Sequence, residues 1–281
     1  MAESLFEDAD MAKYYQAYRP NYAGLGIEKE LISFMGRKLT RSENVNTLAI
    51  DVGCGSGQLT RVLAPMFTKV IGIDRSKSQI NVAKEVTTEK NIEYVVNVAE
   101  DFSFLQDVSV DLVTSALAVH FFEPEPFFSE VDRVLKPGGC FLVLLGSLQG
   151  VSLKTLTNDD KVNNYCSDMI KEVLGIGLQE MREDTKKAVT SGTYPAPKYT
   201  DKHYFEVEAS RKHGNIDEFV GFLKSSGGLI KHQKQHPDKE NLIEKTKERL
   251  LLALADISST PEDIPVVVSF RMNCHLYRKP I

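Results

Sequence analysis

The sequence predicts an α/β fold: a Rossmann-like, doubly wound, mostly parallel seven-stranded sheet with an antiparallel edge strand and a helical cap. Apolar runs alternate with amphipathic segments over residues 45–147, which is typical of βαβ units. The runs are apolar throughout, as expected of strands that are covered on both faces. Two later apolar segments would complete the sheet as an antiparallel pair at its edge.

The first half of the chain supplies the predicted parallel strands. Residues 26–38 carry apolar side chains at helical spacing and predict an amphipathic helix. The apolar run 47–53 predicts a buried strand that ends at glycine, and a helix over 57–67 follows it. The same alternation predicts strands at 69–76, 92–100 and 140–147, a strand over 110–120 that runs into a loop, and helices at 76–87 and 125–135.

The pattern changes after residue 150. Residues 152–190 are polar with one apolar stripe and predict helices, and a proline-rich connection follows them. Alternation over 203–210 predicts an exposed or edge strand. Capped amphipathic patterns predict helices at 215–226 and 239–257, and residues 264–279 predict the last strand.

Composition excludes several functions. Apolar residues make up 42% and charged residues 26% of the chain, and the net charge of −5 comes without a basic stripe, so no nucleic-acid partner is expected. The acidic amino terminus is not a secretory signal, and no apolar run approaches the roughly 18 residues of a membrane span. The four cysteines lack the paired spacing of a zinc site or disulfide framework. We therefore expect a cytoplasmic protein that binds neither a metal nor a membrane. We also expect it to be a monomer.

The stretch AIDVGCGSGQLT, residues 49–60, places an acid and three alternating glycines between a strand and a helix. Such a loop lets the backbone approach a ligand. The spacing differs from the dinucleotide fingerprint GxGxxG, and the P-loop lysine is missing. Asp51 would repel phosphate but would suit an ammonium group, which the methionine end of S-adenosylmethionine carries.

Two further acids follow at the ends of the next strands. Asp74 lies 17 residues after Gly57, where a carboxylate can accept hydrogen bonds from two ribose hydroxyls. In the segment 97–101, a backbone group of Val98 or Ala99 and a carboxylate of Glu100 or Asp101 could contact adenine. The carboxyl ends of neighbouring strands are where ligands bind in such sheets, so the sequence predicts a site for S-adenosyl-L-methionine and its product S-adenosyl-L-homocysteine.

The segments LAIDVGCGSGQLTRVLA, VIGID, AED, VDLVTSALAVHFF and EVDRVLKPGG resemble the successive motifs of class I S-adenosylmethionine-dependent methyltransferases. Residues 14–20 and 219–228 resemble flanking segments of the trans-aconitate methyltransferase-like subgroup. That subgroup mostly methylates small molecules, often at carboxylate oxygen. It usually has a tryptophan after the position of His120 and an aromatic-serine pair near 224–225. This sequence has HFF and KSS at those positions. The difference from the subgroup therefore concerns the acceptor pocket and not the cofactor site.

The resemblance implies roles for individual residues. Asp51, Gly53 and Gly55 would surround the methionine end, and Arg19, on an arm that folds over the site, could pair with the cofactor carboxylate. Ser115 and Ala116 would contact the cofactor through their backbone. The complete predicted cofactor set is Arg19, Asp51, Gly53, Cys54, Gly55, Asp74, Arg75, Ala99, Glu100, Ser115 and Ala116.

The acceptor determines what catalysis requires. A carboxylate is already ionised at pH 7, whereas a phenol with a pKa near 10 benefits from a base. His120 is the candidate base. An equally favoured alternative is that His120 only hydrogen-bonds to the backbone or shapes the pocket. The aromatic side chains favour a small, flat acceptor, although core packing competes for several of them. The predicted substrate set is Tyr14, Tyr18, His120, Phe121, Phe219 and Phe222.

These observations predict phenol O-methylation of a small molecule, with carboxylate O-methylation as the alternative. A protein or RNA methyltransferase, a cofactor-binding regulator and an NAD-dependent oxidoreductase are less favoured. We predict one methyltransferase domain over 1–281. Its parts are an amino-terminal arm or lid (1–24), a cofactor-binding half (45–147), a helical cap insertion (152–200), and edge strands and helices (203–279).

Overall fold

A computed structural model describes residues 7–36, 46–157 and 159–281. Several predictions extend beyond these ranges. They are the first six residues of the arm, the end of the helix predicted at 26–38, residue 45 of the cofactor-binding half, and residue 158 of the cap.

The described residues contain seven strands and ten α-helices, with short 3₁₀ turns at Val119–Phe121 and Pro261–Asp263. The strands are β1 (Leu48–Val52), β2 (Lys69–Asp74), β3 (Ile92–Val96), β4 (Val110–Ala116), β5 (Leu135–Thr155), β6 (Asp201–His213) and β7 (Val266–Arg278). The helices are α1 (Ala9–Tyr18), α2 (Ile27–Met35), α3 (Gln58–Leu63), α4 (Lys77–Val86), α5 (Pro124–Val134), α6 (Asp160–Leu178), α7 (Glu183–Ser191), α8 (Ile216–Lys224), α9 (Gly227–Gln235) and α10 (Leu242–Ala255). Of the helices in these ranges, none combines the length and apolar character needed to cross a membrane.

The strands form one sheet in the order β3-β2-β1-β4-β5-β7-β6. The pairs β1–β2, β1–β4, β2–β3 and β4–β5 are parallel. β7 runs in the opposite direction, because the N–H of Gly138 donates to the carbonyl of Lys279 and the N–H of Lys279 donates to Gly139. The predicted Rossmann-like class is confirmed, with antiparallel pairing at one edge of a mostly parallel sheet.

The chain divides into two compact units. The sheet unit comprises 22–145, 193–207 and 272–281, and the helical unit comprises 1–21, 146–192 and 208–271. Within the helical unit, α1 packs on α8 because Gly221 has no side chain. A Cβ atom there would lie 2.4 Å from the ring of Tyr18. The predicted arm therefore packs with the later helices, an arrangement that the predicted segment boundaries did not include.

The core of the sheet unit is built from β1, β4 and β5 together with α5. Its centre is a group of phenylalanine rings: the ring centroid of Phe127 lies 6.4 Å from that of Phe102 and 5.9 Å from that of Phe141. Edge-on contacts of this kind suit the charge distribution of aromatic rings. This core fixes the carboxyl ends of the parallel strands.

One predicted boundary is corrected. β5 continues to Thr155, although residues 152–155 were predicted to be helical, because Val151 and Leu153 are buried at the two-residue spacing of a strand. β4 ends at Ala116, and the loop expected within 110–120 begins at Leu117, which adopts a positive φ of 53° that no strand accommodates.

We expect Phe127→Ala to reduce the free energy of unfolding by about 3–5 kcal/mol, since its fully buried ring contacts four others and would leave a cavity. Urea unfolding followed by circular dichroism measures the loss. Leu252→Ala is the control, because Leu252 is 73% exposed and its truncation should change stability by less than about 0.5 kcal/mol. Equal effects of the two substitutions would contradict the described core.

Candidate functional site

The loop after β1 depends on backbone conformations that glycine adopts without strain. Gly53, Gly55 and Gly57 have φ values of 68°, 53° and 78°. The N–H groups of Gly53 and Cys54 both donate to the carbonyl of Ile73, at 2.8 and 3.0 Å. The alternating glycines therefore let the chain leave β1, bond to β2 and then begin α3.

Asp51 lies buried at the end of β1, with 1% of its surface exposed. Its carboxylate oxygens accept hydrogen bonds from the hydroxyls of Thr60, at 2.6 Å, and Thr114, at 2.8 Å. Burial raises the pKa of Asp51 to about 6, and the two hydroxyl bonds partly oppose that rise. The group is thus mainly ionised at pH 7 and supplies a negative charge where β1 meets the glycine loop.

Asp74 connects the glycine loop to the next helix. Its Oδ2 accepts a hydrogen bond from the N–H of Gly55, and its Oδ1 accepts one from the N–H of Ser76, both at 2.8 Å. Arg75 beside it is exposed. The predicted ribose-binding carboxylate is therefore held in place by backbone at the carboxyl end of β2.

The turn that carries His120 packs directly on the glycine loop. A Cβ atom on Gly53 would lie 2.4 Å from Cβ of Ala118 and 3.0 Å from the ring of Phe122. The positive φ of Leu117 redirects the chain at the end of β4 so that this contact forms. Residues 118–122 can approach the loop this closely only because residue 53 has no side chain.

His120 lies half-buried in the 3₁₀ turn Val119–Phe121, with its ring centroid 4.3 Å from that of Phe121. Desolvation lowers the pKa of His120 to about 4. The imidazole is therefore neutral at pH 7, with one nitrogen able to accept a proton and the other able to donate a hydrogen bond.

The remaining predicted cofactor residues of the sheet unit lie at the ends of β3 and β4. Ala99 is buried, and the carboxylate of Glu100 accepts a hydrogen bond from the N–H of Glu123 at 2.8 Å. Ser115 is buried, and Ala116 is partly exposed. Ser115 and Ala116 thus end the strand that leads into the His120 turn, and Glu100 bonds to the residue that follows this turn.

Buried hydroxyls, bare backbone and two carboxylates lie at the ends of β1, β2 and β4. The hydroxyls of Ser56 and Ser115 are buried and have no hydrogen-bond partner among the described residues. The bare backbone of Gly53 and the carboxylates of Asp51 and Asp74 supply the close approach and the negative charge that a cationic ligand requires. The residues present fit the predicted cofactor.

The other predicted site residues belong to the helical unit. Arg19 follows α1, where its Nε donates to the hydroxyl of Ser225 at 2.8 Å and its guanidinium lies 4.9 Å from the ring centroid of Phe222. Tyr14 and Tyr18 stack with a centroid distance of 6.0 Å. Phe219 and Phe222 are fully buried in the helical core. The predicted residues therefore form two groups, one in each unit, and the acceptor role of the helical group stays a prediction.

Sequence reasoning missed residues that support both groups. Thr114 lies opposite Asp51 in the register of β1 and β4, and Ser225 lies 206 residues from Arg19. Only the pairing of strands and helices reveals such partners. His213 is fully buried among aromatic rings, and neither of its nitrogens has a hydrogen-bond partner among the described residues.

The segments that form the site in the sheet unit also match known proteins. Residues 50–143 match the family described as a methyltransferase domain. A Saccharomyces cerevisiae protein named as the probable S-adenosylmethionine-dependent methyltransferase CRG1 is 36% identical over 252 residues, covering 82% of this chain and 84% of its own length. A solved structure from Anaeromyxobacter dehalogenans, named as a type II methyltransferase, is 25% identical with a TM-score of 0.62 and covers 94% of this chain and 100% of its own. A ubiquinone biosynthesis O-methyltransferase of Pseudoalteromonas translucida is 35% identical over 92 residues, covering 32% of this chain and 39% of its own length.

We expect Gly53→Ala to weaken S-adenosylmethionine binding at least about tenfold, because the added Cβ must displace the 118–122 turn. Gly24→Ala is a matched control. Gly24 also has a positive φ, of 75°, but nothing lies within 4 Å of an added Cβ, so the variant loses only the roughly 1–2 kcal/mol of left-handed strain. Isothermal titration calorimetry measures the affinities, and circular dichroism measures the stabilities. Identical behaviour of the two variants would show that the contact with Ala118 is unimportant.

Protonation of Asp51 should oppose cofactor binding. With a pKa of about 6, the carboxylate is ionised at pH 7.5 and mostly protonated at pH 5, so the apparent dissociation constant should rise about tenfold over that interval. Asp51→Asn should bind more weakly at pH 7.5 and lose this dependence. Calorimetry at the two pH values measures both effects, and an unchanged pH dependence in the variant would assign it to another group.

The pH dependence of folding stability provides an independent test of the raised Asp51 pKa. A raised folded-state pKa means that the contribution of Asp51 to folding is present below its unfolded pKa of 3.8 and is lost as the pH rises through about 6. The rise of the Asp51 pKa from 3.8 to about 6 corresponds to about 3 kcal/mol of folding free energy. Ligand-free Asp51→Asn should therefore lose less stability than the wild type between pH 4 and pH 7.5.

Proposed function

Because the chain belongs to the S-adenosylmethionine-dependent methyltransferases, we propose that it transfers a methyl group to an oxygen atom of a small phenol. The observation that carries the choice of acceptor is the position and charge state of His120. A neutral imidazole lies on the turn that packs against the glycine loop. The predicted trans-aconitate methyltransferase-like subgroup stays a prediction.

The residues of the sheet unit would hold the cofactor through charge and backbone. Asp51 and the bare backbone of Gly53 would face its cationic methionine end, and Asp74 would bind the ribose. When bound, S-adenosylmethionine supplies a methyl group on a positively charged sulfur that leaves as a neutral thioether. The protein then has mainly to orient the acceptor in line and exclude water.

His120 would accept the phenol proton during bond formation and not before it. Full proton transfer from a phenol with a pKa near 10 to a group with a pKa of about 4 costs about 8 kcal/mol. The phenol oxygen becomes far more acidic as it gains its bond to carbon, so a weak, neutral base suffices at that stage. The low pKa keeps the imidazole unprotonated and ready for this role at physiological pH.

The partial match to a ubiquinone biosynthesis O-methyltransferase supports oxygen as the accepting atom. The match covers about a third of the chain, so it bears on the type of reaction more than on the acceptor pocket. The same proposal includes a small-molecule partner, no nucleic-acid or membrane partner, a monomer in the cytoplasm, and methyl transfer without a metal.

A small carboxylic acid is the second candidate acceptor. The resemblance of residues 14–20 and 219–228 to the trans-aconitate methyltransferase-like subgroup, which often methylates carboxylate oxygen, favours it. An ionised acceptor needs no base.

The proposal is tested with purified protein, methyl-labelled S-adenosylmethionine and a panel of small phenols, small carboxylic acids, bulk protein and RNA. Mass spectrometry identifies the labelled product. Label on a phenol supports the proposal, and label on an acid supports the second candidate. Label on macromolecules alone would overturn both.

Removal of His120 separates the two acceptor classes. His120→Ala and His120→Asn should reduce kcat/KM for phenol methylation about 10²-fold or more, whereas carboxylate methylation should change much less. The wild-type rate should stay flat between pH 6 and 8, because the imidazole is already deprotonated there, and should fall only toward pH 4.

His275→Ala is the control, since His275 lies in β7 of the same unit and should be dispensable for methyl transfer. Small, equal losses in the His120 and His275 variants with a confirmed phenol substrate would remove His120 from the role of base.

A further inference from the structure

The helical unit contains a cluster of potential metal ligands that no part of the proposed methyl transfer uses. Glu180, His232 and His236 each offer one ligand atom, and these atoms all lie within 4.8 Å of one another. Glu180 Oε1 lies 2.8 Å from Nδ1 of His232 and 3.3 Å from Nε2 of His236. The sequence analysis had predicted a protein without a metal.

The position of Glu180 follows from a close approach of two helices. A Cβ atom on Gly228 would lie 2.7 Å from the carbonyl oxygen of Gly177, so α6 and α9 touch through backbone at this point. Glu180 follows Gly177 by three residues, and its carbonyl accepts a hydrogen bond from Nζ of Lys231 at 2.6 Å. The end of α6 is thereby fixed beside the second turn of α9.

The two histidines meet the same carboxylate because of their spacing. His232 and His236 are four residues apart, so a helix places them on one face, and their ring centroids are 4.6 Å apart. His236 caps the carboxyl end of α9 immediately after Gln235, with φ −128° and ψ 61°. All three side chains are half-buried, so the cluster is partly ordered by packing and still open to an ion from solvent.

The distances suit a small divalent ion. Zinc bonds to histidine nitrogen and carboxylate oxygen at about 2.0–2.2 Å, which separates tetrahedral ligand atoms by roughly 3.3–3.5 Å. The Glu180–His236 distance already has this value, and the Glu180–His232 distance needs to open by about half an ångström. Magnesium and calcium prefer sets of oxygen ligands, whereas two imidazoles with one carboxylate suit zinc and related transition metals.

We propose that Glu180, His232 and His236 form a divalent transition-metal site, with Zn²⁺ as its preferred occupant. The ion would link the end of α6 to α9 and would keep at least one coordination position for water. The site lies wholly within the helical unit, and its occupation does not depend on the acceptor that is methylated.

The test uses the full-length protein after EDTA treatment, titrated with ZnCl₂ by isothermal titration calorimetry. The proposal expects one Zn²⁺ per chain with a micromolar or tighter dissociation constant. His232→Ala, His236→Ala and Glu180→Gln should each weaken this binding at least tenfold. Co²⁺ should give the visible absorption bands of a nitrogen- and oxygen-bound ion in the wild type and lose them in the variants.

His203→Ala is the matched control. His203 forms a similar pair with Glu30 at 2.9 Å, but no third ligand accompanies that pair among the described residues, so the variant should bind Zn²⁺ like the wild type. Circular dichroism confirms that each variant is folded, and His232→Gln provides a more conservative change if His232→Ala is not. Absence of binding to the wild type at 100 μM Zn²⁺, or unchanged binding in all three cluster variants, would overturn the proposal.

Discussion

The close approach of backbone at Gly53 is the constraint on which the site depends. At this residue the chain must leave β1, hydrogen-bond to β2 and leave room for the turn that follows β4. Only a residue without a side chain satisfies all three requirements, because a Cβ atom would overlap Ala118. The positions of the glycine loop, of Asp74 and of His120 are therefore coupled: a change at one of them must be accommodated by the others.

Two hydroxyl donors explain why an ionised acid can remain buried beside this loop. Asp51 lies at the carboxyl end of β1, where Thr60 from α3 and Thr114 from β4 donate hydrogen bonds to it. These bonds offset part of the desolvation cost, and the remainder raises the pKa of Asp51. A cationic ligand would stabilise the charged form further. The unliganded fold thus gives up some stability at neutral pH to hold a charge that a positively charged cofactor can use.

Sequence patterns predicted what is local and missed what depends on pairing across the fold. The strands, the glycine loop and Asp74 follow from short runs of residues, because parallel strands and left-handed turns have their own sequence patterns. The contact of Thr114 with Asp51 depends on strand register, and the extension of β5 to Thr155 depends on the burial of Val151 and Leu153. The histidine pair at 232 and 236 was visible as a four-residue spacing, but its carboxylate partner lies 52 residues earlier in the chain.

This difference also explains why the cofactor was easier to infer than the acceptor. Cofactor residues come from the ends of successive strands, so their order in the sequence follows their order in the sheet. The predicted acceptor residues are distributed over both units, from Tyr14 to Phe222, without a common pattern. Methyl transfer also demands little of the acceptor side, since the leaving group is neutral and the main tasks are orientation and exclusion of water. A pocket with so few chemical requirements can vary widely in sequence, so the protonation state of His120 carries more information about the acceptor than the predicted aromatic residues do.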